Sequence, residues 1–135
     1  MNDGEFSFGL RVYIEDTDAG GIVYYVNYLK FMERCRTEYM RSLGFGKNFI
    51  FTENLMFVVS DVAVQYLRSA KLDDELLTTA RITQIGGASM TLYQSVARGS
   101  EVLAKGEIKI ACVDRSSLKP RRIPREMMAQ LRAQH

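Results

Sequence analysis

Residues 16–28 read DTDAGGIVYYVNY, and they separate a strand pattern from a helix pattern. Before them, apolar and polar residues alternate from Phe6 to Glu15, which predicts a half-buried strand. After them, Tyr28 to Leu43 carries apolar side chains at helical spacing, which predicts a helix about 24 Å long. Asn27 suits the N-cap of that helix, and Gly44 suits the position just beyond its C-terminus.

Four further strands are predicted downstream, over residues 57–67, 75–85, 89–98 and 102–113. Gly-Gly and Gly-Ser turns separate the last three, which predicts an antiparallel meander. A short helix is expected over 125–133. The order of strand, long helix and four strands predicts a single α+β domain, in which an antiparallel sheet of about five strands wraps one central helix. Such a sheet has exposed edges, so dimerisation through an edge is expected.

The composition excludes several classes of protein and of site. Apolar residues make up 47% of the chain and charged residues 25%, as in ordinary globular domains. No segment is apolar for the roughly 18 residues of a membrane span, and the first residues lack a secretory pattern, so a cytoplasmic location is expected. Cys35 and Cys112 are expected as reduced, buried thiols. The only histidine is His135, which excludes a Ser-His-Asp or Cys-His pairing and a His-rich zinc site.

Charge is unevenly distributed along the chain. Residues 115–135 form a basic tail with six Lys or Arg and one Glu, whereas the first 114 residues carry a net charge of −3. The tail suits phosphates on a small ligand or peripheral contact with a membrane surface, but a solvated terminal segment has the same composition. The acidic body argues against nucleic acid as a partner.

The opening segment allows three interpretations. It begins like a calcium-binding EF-hand loop, but its twelfth position is Asn27 instead of the bidentate Glu that calcium requires, so no metal is expected. Asp16 and Asp18 also suit a purely structural role, in which their side-chain oxygens fix the Gly-Gly bend. Alternatively, a carboxylate beside a helix N-terminus, with tyrosine rings to exclude water, is typical of a site that stabilises a developing oxyanion.

The residues in this segment carry a family resemblance. EDTDAGGIVYYVNY, followed by FMERCRTE, resembles the signature of the hotdog-fold acyl-CoA thioesterases, specifically the 4-hydroxybenzoyl-CoA thioesterase group. It resembles the bacterial thioesterases associated with the Tol-Pal system more closely. The segments FVVSDVAVQY, AKLDDEL and ACVDRSSLKPR extend the resemblance over nearly the whole chain.

The resemblance implies a single hotdog domain over residues 1–135, assembled as homodimers or homotetramers with active sites at the dimer interface. It implies hydrolysis of acyl-CoA to a free acid and coenzyme A, without metal or cofactor. Asp18 would be the catalytic carboxylate, as nucleophile or general base, and the backbone amide of Tyr25 would polarise the thioester carbonyl. Further substrate contacts are expected from Gly21, Val23, Tyr24, Tyr28, Glu33, Arg68 and Ser89. A solvated helix charge at Glu33 and a strand-end serine at Ser89 are the structural alternatives.

One departure from the Tol-Pal-associated pattern bears on the substrate. Those proteins usually have His where this chain has Tyr25, whereas the hydroxybenzoyl group has Tyr. The closer Tol-Pal likeness makes short-chain aliphatic acyl-CoA the first expectation, and Tyr25 makes aromatic acyl-CoA the second. Acyl carrier protein thioesters are a further alternative. The missing imidazole also favours a rival interpretation, a non-catalytic acyl-CoA-binding or scaffolding protein, which the intact motif around Asp18 opposes.

Overall fold

The computed structural model describes residues 4–135. Five strands and three α-helices lie within this range. The strands are β1 (Glu5–Arg11), β2 (Leu55–Tyr66), β3 (Glu75–Ile85), β4 (Ser89–Arg98) and β5 (Glu101–Asp114), and the helices are α1 (Tyr25–Ser42), α2 (Lys47–Glu53) and α3 (Arg125–Gln134).

The strands form one antiparallel sheet in the order β1-β3-β4-β5-β2. The predicted meander of β3, β4 and β5 lies at its centre, and β1 and β2 are its two edges. The α+β class and the five-stranded sheet are therefore confirmed. No helix in the described part of the chain is long and apolar enough to cross a membrane.

Helix α1 packs on β1, β3 and β4 through one apolar stripe. Its buried members include Tyr28, Phe31, Met32, Cys35 and Tyr39, and they contact the inward-facing residues of the strands in one core. Burial of this stripe stabilises the helix, since each large apolar side chain contributes about 1.5–3 kcal/mol when removed from water.

The predicted end of α1 is confirmed, but its predicted N-terminal cap is wrong. At the C-terminus, Gly44 has a φ of +95°, its N–H donates to the Arg41 carbonyl, and the Phe45 N–H donates to the Met40 carbonyl. This is the predicted glycine stop. At the N-terminus the prediction of an Asn27 cap is wrong, because the helix begins at Tyr25 and the Asn27 side chain binds a carboxylate outside the helix.

Two predictions of local structure also require correction. The first strand ends at Arg11 and does not reach Glu15, because residues 14–16 turn into a short 3-10 helix that leaves Ile14 75% exposed. Residues 47–53, which had no assignment, form α2. Their apolar side chains pack at the margin of the core, a contact that follows from tertiary structure and has no strong local period.

A bulge in β5 holds the residues that follow β2 in place. The β4–β5 register shifts at Leu103, and the carbonyl of this extra residue accepts hydrogen bonds from the N–H groups of Leu67 and Arg68. Residues 66–68 are thereby held beside the start of α1.

Candidate active site

Asp18 begins a tight turn immediately before α1. Its carbonyl accepts the Gly21 N–H at 3.0 Å, and its Oδ1 accepts the Gly20 N–H at 2.8 Å. Gly21 has a φ of +79°, in the left-handed region that glycine adopts at low cost. Asp18 is exposed, and no residue in the range 4–135 donates a hydrogen bond to its Oδ2. The carboxylate therefore shapes the turn with one oxygen and leaves the other free of hydrogen bonds from the described residues.

Asp16 is a structural residue. It is only 3% exposed, its Oδ1 accepts a hydrogen bond from Asn27 Nδ2 at 2.6 Å, and its Oδ2 accepts the Tyr13 N–H at 2.9 Å. These contacts fix the entry into α1 from both sides of the turn. Asp18 thus fixes the Gly-Gly bend with one oxygen as the structural interpretation predicts, whereas Asp16 is structural in another way, since its oxygens bind Tyr13 and Asn27 and not the bend.

The turn is anchored to the segment between β2 and β3. The Val23 N–H donates to the Ala70 carbonyl at 2.9 Å, and the Leu72 N–H donates to the Gly21 carbonyl at 3.2 Å. The hydroxyl of Tyr28, which is 2% exposed, accepts the Ala70 N–H at 2.8 Å. The turn, the first part of α1 and residues 70–72 consequently form one rigid unit.

The N-terminus of α1 offers donors beside Asp18. Tyr24 occupies the N-cap position without a side-chain hydrogen bond to the helix. The N–H groups of the first turn, including those of Tyr25 and Val26, have no acceptor within the helix and lie at the positive end of its dipole. Such donors suit an oxygen that becomes negative during a reaction.

Three tyrosine rings form a wall next to these donors. The Tyr66 ring lies 5.5 Å from that of Tyr25 and 5.7 Å from that of Tyr28, measured between centroids. Burial raises the pKa of Tyr28 and of Tyr66, with Tyr25 and Tyr28 raising that of Tyr66 further. The Tyr28 and Tyr66 hydroxyls are thus neutral at physiological pH. Tyr28 is buried, whereas the Tyr25 and Tyr66 rings are exposed and form an aromatic surface.

Comparison with known proteins decides the family. A family model described as the thioesterase-like superfamily matches residues 12–131. The chain belongs to this superfamily. It is 45% identical over 130 residues to the acyl-CoA thioesterase YbgC of Haemophilus influenzae, covering 96% of each chain. It is 38% identical over 133 residues to the acyl-CoA thioester hydrolase YbgC of Escherichia coli O157:H7, covering 98% of this chain and 99% of that protein.

The fold comparison agrees with the family assignment. The DHNA-CoA thioesterase of Staphylococcus aureus superimposes with a TM-score of 0.85 at 19% identity, covering 96% of this chain and 87% of that one. The hotdog fold and the resemblance to the acyl-CoA thioesterases are confirmed, and so is the prediction of an enzyme of the thioesterase class.

In this thioesterase an ion-pair network supports the rear of the site. Arg98 contacts Asp74 and Glu101, each at 2.6 Å, and Arg68 Nε lies 3.1 Å from Glu101. Burial raises the pKa of Asp74, but the Lys71 N–H and Arg98 outweigh that effect, so the pKa lies below its ordinary value. The Arg68 charge is therefore already partly neutralised by Glu101.

Sequence reasoning missed Arg98 and the position of Tyr66 in this site. Arg98 lies 24 residues from Asp74 in the chain, and a strand-end arginine gives no local signal of that pairing. No local pattern marks Tyr66 as a site residue. Its placement follows from the shift at Leu103, which no sequence pattern indicated.

Not all the predicted contact residues meet in one chain. The structure brings Asp18, Gly21, Val23, Tyr24, Tyr25, Tyr28 and Arg68 to the same end of the domain. Glu33 lies eight residues further along α1 than Tyr25, a rise of about 12 Å. Ser89 pairs with Ala111 on β5, whereas Tyr66 pairs with Ala104, which separates the two by about 23 Å along the strand.

The basic tail packs against the domain over part of its length. Arg115 lies over the Phe51 ring at 4.5 Å, and Arg121 Nη2 lies 3.5 Å from a Glu53 oxygen. Met127 and Leu131 of α3 are fully buried. The tail is thus not a solvated segment as a whole, and at least two of its six basic residues contact α2.

Proposed function

We propose that this thioesterase hydrolyses acyl-CoA to a free acid and coenzyme A, with Asp18 as the catalytic carboxylate. The observation that carries the proposal is the Asp18 carboxylate, whose Oδ2 has no donor among residues 4–135, in the turn that leads directly into the N-terminus of α1, which has no side-chain cap. The names of the relatives that are 45% and 38% identical support acyl-CoA as the substrate class.

The chemistry uses two groups. N–H groups at the start of α1, with that of Tyr25 first, donate hydrogen bonds to the thioester oxygen as it gains negative charge. Asp18 then either attacks the carbonyl carbon, expelling the coenzyme A thiolate and leaving an anhydride that water hydrolyses, or it takes a proton from the attacking water. In the second route the tetrahedral intermediate collapses with loss of the same thiolate. Neither route uses a metal or a cofactor.

Short-chain aliphatic acyl groups are the first expectation for the substrate, and aromatic acyl groups are the second. The exposed rings of Tyr25 and Tyr66, which are tilted at 56° to each other, favour the aromatic alternative, since aromatic pairs form readily in tilted as well as stacked geometries. Thiol release from a panel of CoA thioesters, running from acetyl to hexanoyl and benzoyl, tests both. Highest kcat/KM on the short aliphatic members is expected, and highest kcat/KM on benzoyl-CoA would reverse the order. Parallel assays with acyl carrier protein thioesters test that alternative carrier.

We further propose a homodimer built through β2, with tetramers formed from such dimers. β2 is an edge strand of 12 residues, and Val59, Val62 and Tyr66 on it are each at least 40% exposed. A long apolar edge favours pairing with another strand. Antiparallel pairing of β2 with its own copy about a two-fold axis would bring the Tyr66 end of one chain to the Phe57 end of the other. The proposed setting is the cytoplasm, with at most peripheral membrane contact and without nucleic acid.

The second candidate is a binding or scaffolding protein that holds acyl-CoA without turnover. Tyr25 favours it, because its phenol is 69% exposed at the position where a basic imidazole would serve proton transfer. Calorimetric binding of CoA combined with no thiol release on any thioester would establish this alternative. Measurable turnover that depends on Asp18 would exclude it.

A further inference from the structure

The segment of residues 69–74, to which the turn before α1 is bonded, is itself held by one arginine. Arg98 lies at the end of β4, and its Nη1 donates to the Ser69 carbonyl at 3.3 Å and to Asp74 Oδ2 at 2.6 Å. Its Nη2 donates to Glu101 Oε1 at 2.6 Å. One planar guanidinium thus ties both ends of the segment to the start of β5.

The same arginine supports the shape of the turn inside this segment. Asp74 Oδ2, besides pairing with Arg98, accepts the Lys71 N–H at 2.8 Å, and the Lys71 carbonyl accepts the Asp74 N–H at 3.1 Å. Asp73 has a φ of +70°, in the left-handed region. Because this conformation costs free energy for a residue with a Cβ, contacts such as the Arg98–Asp74 pair are needed to maintain it.

The opposite side of the segment bonds the turn that carries Asp18. The Val23 N–H donates to the Ala70 carbonyl at 2.9 Å, and the Leu72 N–H donates to the Gly21 carbonyl at 3.2 Å. Within the turn, the Gly21 N–H donates to the Asp18 carbonyl at 3.0 Å. A displacement of the segment is therefore carried to the carboxylate through short backbone hydrogen bonds.

Arg98 differs from the buried supports of this segment in its accessibility. Its side chain is 33% exposed, whereas Tyr28, whose hydroxyl accepts the Ala70 N–H, is buried. Partly exposed ion pairs contribute little to the free energy of unfolding, and removal of one leaves no sealed cavity. Loss of Arg98 is thus expected to affect the position of the segment more than the stability of the fold.

We propose that Arg98 is a positioning residue for the thioesterase reaction, which holds Asp18 in its productive place through residues 69–74. The role given to Asp18 rests on the proposed function, whereas the contacts of Arg98 do not. Reacting groups tolerate little displacement, since a shift of about 1 Å can cost about 100-fold in rate. A residue behind the site therefore affects turnover without contacting the substrate.

The first measurement is thiol release from the best acyl-CoA substrate. Arg98→Gln is expected to lower kcat by about 10- to 100-fold. Arg98→Lys recovers only part of this loss, because one ammonium group cannot reproduce the fork that spans Asp74 and Glu101. Arg41→Gln is the control, since it removes an ion pair with Glu38 near the other end of α1, and it leaves kcat within about three-fold.

A double variant separates positioning from general support of the fold. If Arg98 acts through Asp18, Arg98→Gln lowers kcat in the natural chain and has little effect once Asp18→Asn has removed the carboxylate. A general loosening of the fold would instead lower the turnover of both backgrounds by the same factor. Equal factors would overturn the proposal, and so would an unchanged kcat in Arg98→Gln.

Chemical rescue decides where the residual turnover of Asp18→Asn is too low to compare. Arg98→Ala opens an accessible space beside Asp74 and Glu101, and added ethylguanidinium is expected to restore kcat by at least about ten-fold. Ethylammonium, which lacks the planar fork, is expected to restore little. Absence of rescue by ethylguanidinium would overturn the proposal.

Two further outcomes keep the test decisive. Where the Arg98 variants do not fold, Asp74→Asn removes the charge that pairs with Arg98 and retains an oxygen for the Lys71 N–H, and it is expected to lower kcat as Arg98→Gln does. An unchanged kcat in Asp74→Asn would contradict the proposal. Full turnover in Asp18→Asn would refute the proposed function, whereas an Arg98 effect that is independent of Asp18 would refute the positioning role alone.

Discussion

The hydroxyl of Tyr28 accepts a hydrogen bond from the backbone N–H of Ala70 at 2.8 Å, and both residues are buried. This bond joins the first part of α1 to the segment that also pairs with Gly21 and Val23. The position of the Asp18 carboxylate relative to the helix N-terminus therefore depends on one hydrogen bond between residues 42 positions apart in the chain.

Removing that hydroxyl tests the dependence. Tyr28→Phe is expected to lower the free energy of unfolding by about 1–3 kcal/mol, because it leaves a buried N–H without a partner. Thioesterase activity should fall with it, as the turn loosens. Urea denaturation measures the stability, with Tyr13→Phe as the control, since Tyr13 is 62% exposed. Equal effects of the two substitutions would contradict this role for Tyr28.

Asp16 and Asp18 are two residues apart but should respond differently to the same substitution. Asp16→Asn replaces one buried acceptor oxygen by a donor, which must face either Asn27 Nδ2 or the Tyr13 N–H. A loss of about 1–3 kcal/mol in the free energy of unfolding is expected. Thermal and urea unfolding of the variant measure it, and an unchanged stability would show that Asp16 does not fix the entry into α1.

Features that depend on neighbouring residues were predicted from the sequence, whereas features that depend on contacts between distant residues were not. Strands β3 and β4 were predicted with their observed bounds, since alternation and glycine turns are local signals. The start of α1 was misplaced because Asn27 binds Asp16, an interaction across eleven residues. Asp18 was predicted from its motif, whereas Arg98 and Tyr66 were missed because only pairing between distant strands brings them to the site.

The edge strand provides a test of assembly. Val62→Glu places a charge on the exposed apolar edge and, if β2 pairs with its copy, two such charges lie close together in the dimer. We expect the dimer dissociation constant to rise more than ten-fold, measured by sedimentation velocity, with a parallel loss of activity. Val102→Glu is the control, since Val102 is similarly exposed on β5, away from the edge. Dimers that persist at low concentration in the Val62→Glu variant would rule out pairing through β2.

The buried thiol of Cys35 predicts a loss of stability at alkaline pH. Burial raises its pKa to about 11, although a hydrogen bond with Thr78 and the charge of Arg36 act in the opposite direction. In the unfolded chain the pKa of a thiol is about 8.5. The unfolded state is therefore favoured as pH rises from about 8.5 towards 11, by about 2 kcal/mol at pH 10.

Urea unfolding at several pH values measures this slope, and Cys35→Ala should reduce it below pH 10, where the buried Cys112 thiol, whose pKa burial also raises, contributes the remainder. Above that pH the buried tyrosines Tyr28 and Tyr39, whose pKa values burial also raises, continue the loss in both proteins. A slope that is the same with and without the thiol would show that Cys35 ionises as readily in the folded state as in the unfolded one.

Asp18→Asn tests most directly whether the carboxylate of Asp18 performs the chemistry. Asn retains the Oδ1 that accepts the Gly20 N–H, so the turn and the free energy of unfolding should change by less than about 1 kcal/mol. Thiol release from the best acyl-CoA substrate should fall by about 10²–10⁴-fold, the usual contribution of a catalytic acid-base group. A folded Asp18→Asn protein that retains turnover within ten-fold of the natural chain would contradict the account.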